Sequence, residues 1–227
     1  MSGPREIHAL RVLPRGRYAA PRAVVVESQR ERLLVAMADA IAAKGYANVA
    51  VADVIERAGV SRRSFYEHFA NKEECFLAAY DAGVEALLGA IAEAEAGAGG
   101  LLEGARAGTE VYLQLLSDNP AFARTFLIEV LGAGPAALAR RDAVHERFAA
   151  RLAEAHAAFA AAVGPPAGVP APAPYIFRAA VGAIHELVID RLLKEGAEAL
   201  PDLLDPILEV ELRLLGAPAS TTRRETA

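Results

Sequence analysis

Apolar positions recur at helical spacing along most of the chain, and glycine, proline and small polar residues mark the breaks. From about Glu27 to Lys44, residues Leu33, Leu34, Met37, Ala38 and Ile41 line one face while Gln29, Arg30, Arg32 and Asp39 fall elsewhere, which predicts an amphipathic helix closed by Gly45. Val51, Val54, Ile55 and Ala58 repeat the pattern, and Gly59 stops it, since a residue without Cβ takes the left-handed conformation that ends a helix. Ser61 then caps a second short helix, with Val60, Phe65 and Phe69 supplying the contacts that fold it back on the first. The pattern is a helix-turn-helix, which with the helix before it makes a three-helix bundle.

Asn71, followed three residues later by Glu74, reads as the capping box of a long helix from Lys72 to about Ala96, with Phe76, Leu77, Tyr80, Val84, Leu87, Leu88 and Ile91 inward and Gly97–Gly100 ending it. Further helices are predicted over Leu101–Ser117, Pro120–Leu131, about Pro135–Val163, Tyr175–Glu195 and Leu200–Leu215, with Pro206 kinking the last or marking a later start. Gly164 to Pro174 is a proline-rich loop. Alternating β-branched runs are nearly absent outside Val24 to Val26, so the expected fold is all-α. It comprises a basic flexible arm (1–26), a three-helix domain carrying the helix-turn-helix (27–72), a larger helical domain entered by the long helix (73–215) and a disordered tail (216–227).

Charge changes this picture. The 227 residues, 54% of them hydrophobic, carry a net charge of −5, which argues against a nucleic-acid partner until the chain is divided. Residues 1–72 hold twelve Lys and Arg against seven Asp and Glu, a balance of +5, and the remainder holds twelve against twenty-two, a balance of −10. A basic N-terminal third attracts phosphates, and the acidic remainder points away from them. The single cysteine, Cys75, excludes an internal disulfide, and no signal-peptide pattern and no apolar run long enough to span a bilayer is read. The expectation is a cytoplasmic protein without a membrane partner.

The outward positions of the second motif helix hold Arg62, Arg63, Ser64, Tyr66 and His68, all hydrogen-bond donors suited to a DNA groove. Arg62 or Arg63 can donate two parallel bonds to guanine O6 and N7. Adjacent residues on a helix point about 100° apart, so one of them reads a base while the other holds a phosphate, and the pattern leaves open which. Arg15 and Arg17, within Leu13–Tyr18, suit an arm that follows the backbone or enters the minor groove. Lys72 opposes the helix dipole at the start of its helix, a placement that makes sense beside a bound phosphate.

Gly45-Tyr46, the stretch VADVIERAGVSRRSFYEHF (51–69), Asn71-Lys72-Glu73-Glu74 and Phe76-Leu77 together closely resemble the DNA-binding domain of the TetR family of bacterial repressors, over about residues 28 to 80. The resemblance implies a homodimer, a divergent C-terminal ligand domain, and repression of a palindromic operator relieved by a small molecule. By motif position it implies that Tyr66 and Lys72 touch phosphates, that His68 lies near the backbone, and that Arg62, Arg63 and Ser64, following Ser61, face bases. Where the family places Thr or Ser before the second helix, this chain has Val49 and Ala50, leaving Asn48 as a substitute cap.

The resemblance also implies dimerisation through the last two helices, and the apolar positions Val181, Ile184, Val188, Leu192, Leu204, Ile207, Leu208 and Leu212 offer surface for it. Tyr112, Phe126, Glu129, His145, Phe148, Phe177 and His185 are the candidate effector-lining residues, chosen as aromatic or hydrogen-bonding groups within apolar helices. No cofactor or metal is expected: His145-Glu146 and His185-Glu186 begin a zinc-protease motif, but Ala149 and Ile189 stand where its second histidine belongs. Cys75 is either a thiol activated by its helix start or a buried, inert one. The leading function is a ligand-responsive, DNA-binding repressor. A constitutive DNA binder without effector and a helical-bundle enzyme are the alternatives, and salt-dependent DNA affinity separates the enzyme from the others.

Overall fold

The structure is a computed structural model, and it describes residues 22–164 and 171–214. Arg15, Arg17, most of the arm, the tail and the centre of the proline-rich loop lie outside the described residues. Among the described residues there are nine α-helices and no strand: α1 (Arg22–Lys44), α2 (Val51–Ala58), α3 (Arg62–His68), α4 (Lys72–Ala96), α5 (Leu101–Asp118), α6 (Pro120–Leu127), α7 (Pro135–Val163), α8 (Pro174–Glu195) and α9 (Leu204–Leu214). The all-α expectation holds.

Three boundaries differ from expectation. Helix α1 begins at Arg22, not near Glu27, and absorbs Val24 to Val26, because strand preference is weak against continuation of a helix. The expected helix to Leu131 stops at Leu127 and continues as a tighter 3-10 turn over Glu129–Gly132. A 3-10 segment, Ala197–Leu203, precedes α9, so Pro206 falls in the first turn of a later helix, where its missing N–H has no intrahelical partner to lose.

The chain divides into two compact units. The first comprises the chain up to Ala90 together with Gln114–Asp142; the second comprises Ile91–Leu113 and the chain from Ala143 onward. The first unit therefore takes α6 along with the three-helix motif. In it α1 packs against α2, α3 and α6. Its core is built by Leu33, Met37, Ile41, Val54, Phe65 and Phe76, all fully buried, with Tyr80 stacked on Phe126 at 5.4 Å between ring centres. The Phe122 ring lies so close to α4 that a Cβ at Gly83 would come within 2.2 Å of it, so only glycine permits that approach.

In the second unit, α8 packs against α9 and the segment before it. Phe177 and Val181 of α8 form a buried cluster with Ala149 of α7, flanked by Phe148, Leu152 and Ala153. Ion pairs tie its helices, among them Arg151 to Glu95, Arg178 to Glu146, and Arg106 to Asp205 at 3.0 Å.

Helix α4 corrects one expectation, since by length and composition it is apolar enough to cross a membrane. Alanine and glycine dilute its charges, yet half of that apolar stretch is buried, including Tyr80, Val84 and Leu87, which is the pattern of a core helix.

Candidate nucleic-acid interface

Helix α3 has seven residues, too few to hold a helix alone in water, so the surrounding packing sets its position. Phe65 (fully buried) and Phe69 (3% exposed) anchor it, each worth about 1.5–3 kcal/mol of burial. The turn before it is closed at Gly59 (φ 62°, ψ 39°), with the Gly59 N–H reaching Glu56 O at 3.3 Å and the Val60 N–H reaching Ile55 O at 3.2 Å. Arg32 of α1 donates from Nη1 to Ala58 O at 3.0 Å, pinning the end of α2 to α1. The Ser64 N–H donates to Ser61 Oγ at 3.0 Å, as a cap should, and the two hydroxyls also lie 3.0 Å apart. Both serines thus serve the turn.

The cap of α2 departs from expectation. Asn48 donates from Nδ2 to Lys44 O at 3.0 Å and so finishes α1 instead. Ala50 occupies the cap position, and Asp53 accepts its N–H at 2.8 Å while pairing with Lys44 at 2.6 Å. The bond from Lys44, then the Ala50 N–H, hold the Asp53 carboxyl below its usual pKa. At the start of α4, Asn71 Oδ1 accepts the Glu74 N–H at 2.9 Å, and Glu74 accepts the Ala70 N–H at 2.6 Å.

On α3 the four exposed side chains form two pairs. Arg62 lies over the Tyr66 ring, 5.8 Å from its centre, and Arg63 pairs through Nε with Glu67 Oε1 at 3.0 Å. Ser64 and His68 are half-buried on the opposite flank, the His68 ring 6.1 Å from that of Phe69. Lys72 donates to Tyr46 O at 2.9 Å and stands 4.3 Å above the Tyr46 ring. Its unusual helix position therefore has an internal explanation, and the ammonium keeps two further donors. Sequence reasoning missed Glu67, although its spacing of four from Arg63 is a readable pairing signal.

Cys75 is fully buried, and its Sγ lies 3.9 Å from Leu33 O. Burial pushes its pKa up to about 12 and outweighs the helix start, so it is the inert thiol of the two readings.

The effector candidates separate. Tyr112, His145, Phe148, Phe177 and His185 belong to the second unit, where Tyr112 meets Phe148 edge-on at 6.1 Å and the His145 and His185 rings meet edge-on at 4.7 Å. Phe126 and Glu129 belong to the first unit. Glu129 accepts the Tyr46 N–H at 2.8 Å and pairs with Arg124 at 3.1 Å, which gives it a structural task. Of the dimer candidates, Val181, Val188 and Ile207 are buried within the chain, while Ile184, Leu192, Leu204, Leu208 and Leu212 remain partly exposed.

Residues 33–79, which span α2, α3 and their caps, match the family of bacterial regulatory proteins designated tetR. Over these residues the chain is similar to the TetR family. No curated protein sequence matches it significantly. Among solved structures it is similar to the fatty acid degradation regulator FadR of Bacillus halodurans (TM-score 0.73, 17% identity, covering 89% of this chain and 99% of that one). It is also similar to FadR of Bacillus subtilis, solved in complex with stearoyl-CoA (0.69, 15%, 79% and 96%). A tetR-family regulatory protein from Rhodococcus RHA1 gives 0.64 at 22% identity, covering 82% and 96%. At these identities the likeness shows a shared fold. The family matched over residues 33–79 is one of regulatory proteins, which favours the regulator reading over the enzyme one.

Proposed function

We propose that the chain is a cytoplasmic, homodimeric repressor that binds a palindromic operator through α3 and is released by an effector carrying a long apolar chain. The exposed donor face of α3, with Arg62, Arg63 and Tyr66 outward and Phe65 buried beneath, carries the DNA-binding part. Ser61 and Ser64 set the turn that presents this face. Lys72 and His68 flank it as backbone contacts, and Arg15 and Arg17 add charge from the arm. Exposed Leu193 (62%) and Leu214 (38%), beside partly exposed Leu192, Leu208 and Leu212, support a second copy docking on α8 and α9.

The proposed effector class is supported by the stearoyl-CoA bound by the Bacillus subtilis protein and by the aromatic and apolar character of Tyr112, Phe148 and Phe177, with His145 and His185 as polar neighbours. The test is selection of sequences from a randomised duplex library, followed by titration of the enriched site with stearoyl-CoA. The expected result is a palindrome bound with steep salt dependence and released by the thioester. Tight binding indifferent to acyl-CoA of any length makes the chain a constitutive binder. Sedimentation showing a stable monomer at micromolar concentration overturns the dimer.

A further inference from the structure

The two arginines of α3 divide the work of reading DNA. We infer that Arg63, held by Glu67, reads a G·C base pair, whereas Arg62, with Tyr66, holds the phosphate backbone. This rests on the proposed DNA-binding role of α3.

The first argument is direction. At about 100° per residue, Arg63 and Glu67, each two positions from the buried Phe65, both point about 160° away from it. They form the crest of the helix, farthest from the core. Arg62, three positions from Phe65, lies only about 60° from it, and Tyr66 about 100°, so this pair lies along the flank. Exposure agrees: the Arg63 side chain is 89% accessible and that of Glu67 54%, on a helix whose other face is closed by Phe65 and Phe69. In a helix-turn-helix the crest enters the major groove, and the flanks pass the sugar-phosphate walls.

The second argument is charge. A carboxylate paired with Arg63 repels a phosphate brought to the same place, but it does not repel a base edge, which is neutral. In the major groove one G·C pair presents two acceptors, guanine N7 and O6, beside one donor, the cytosine N4 amino group. Arg63 has its Nε committed to Glu67 and its two terminal nitrogens free to form a fork toward the two acceptors. Glu67 stands beside it as the acceptor for the amino group. The Arg62–Tyr66 pair has no carboxylate, and it offers a cation and a hydroxyl, both able to bind phosphate oxygens.

The experiment uses the full chain. Wild-type protein enriches a site from a randomised duplex library, and Arg63→Ala, Arg62→Ala and Glu67→Gln are then measured against that site and its single-base variants at several salt concentrations. These side chains are exposed, and thermal melting by circular dichroism confirms that each variant stays folded. Arg63→Ala is expected to reduce the preference for guanine at one position of each half-site by about tenfold or more. Arg62→Ala is expected to weaken all sequences about equally and to lower the salt slope by about one. Glu67→Gln is expected to tighten binding to non-cognate duplex and narrow the ratio of cognate to non-cognate affinity.

The reverse pattern, with Arg62→Ala relaxing base choice and Arg63→Ala changing only the salt slope, overturns the assignment. Specific, salt-dependent binding in which neither Arg63→Ala nor Glu67→Gln alters base preference overturns it while leaving the DNA-binding function intact. A wild-type chain that enriches no sequence removes both.

Discussion

Gly59 shows how much of the turn rests on one residue. Its φ of 62° lies in the left-handed region, and an L side chain there costs about 1–2 kcal/mol. Gly59→Ala is therefore expected to lower unfolding stability by about that amount, measured as a shift of the urea midpoint at unchanged slope; an unchanged midpoint would show that the turn relaxes at no cost. Cys75 gives a second test at the same scale. With its thiol pKa pushed up to about 12 by burial, it should react with iodoacetamide at pH 8 only as fast as the chain opens, and rapidly once urea is present. Gly59, Ser61 and the Asn71–Glu74 cap were all readable in the sequence, because a helix end states its needs within three or four residues. The Cys75 environment was not, since its outcome depends on Leu33, forty-two positions earlier, and on the core around it.

Elements follow the same division. The helices in the described residues were visible from apolar repeats, caps and breakers, and one misplaced boundary is a place where a distant partner intervenes. The end of α6 is that place. Glu129, just beyond it, turns toward the start of the motif, accepts the Tyr46 N–H and pairs with Arg124, so α6 and the turn between α1 and α2 are fastened within one unit. Nothing local to Glu129 signals this, which is why it was read as an effector residue. Its carboxylate side chain is only 14% exposed. Glu129→Ala strands a partly buried N–H and removes a charged hydrogen bond, an expected loss of about 1.5–3 kcal/mol in denaturant unfolding. Glu129→Gln, which keeps an acceptor oxygen, should recover part of it. Equal stability of all three proteins would show that the contact contributes nothing. The two pairs on α3 belong here too, because the sequence offered two adjacent arginines without an order, and the burial of Phe65 with the formed Arg63–Glu67 pair supports the proposed one.

At the scale of the molecule, the division of charge that pointed to a nucleic-acid partner also sets a dependence on pH. The acidic part of the chain must bring carboxylates together as its helices pack. Helix α9 does so at Glu211: burial first, and the negative charge of Glu95 second, raise its pKa from 4.5 to about 7. Glu95 is itself paired with Arg151, so that cation is already engaged as Glu211 approaches. Between about pH 4.5 and 7 the folded chain holds this proton while the unfolded chain has released it, so the folded state binds more protons and its stability falls as pH rises through that window. Above about pH 7 this contribution no longer changes. The urea midpoint of the wild-type chain should therefore carry a declining component from about pH 4.5 to 7. Glu211→Gln, which cannot ionise, should remove that component and be more stable than wild type at pH 8 by on the order of 2 kcal/mol. Parallel pH profiles for the two proteins would mean that Glu211 is as well solvated in the folded chain as in the unfolded one, and that α9 packs less closely on its neighbours than its burial indicates.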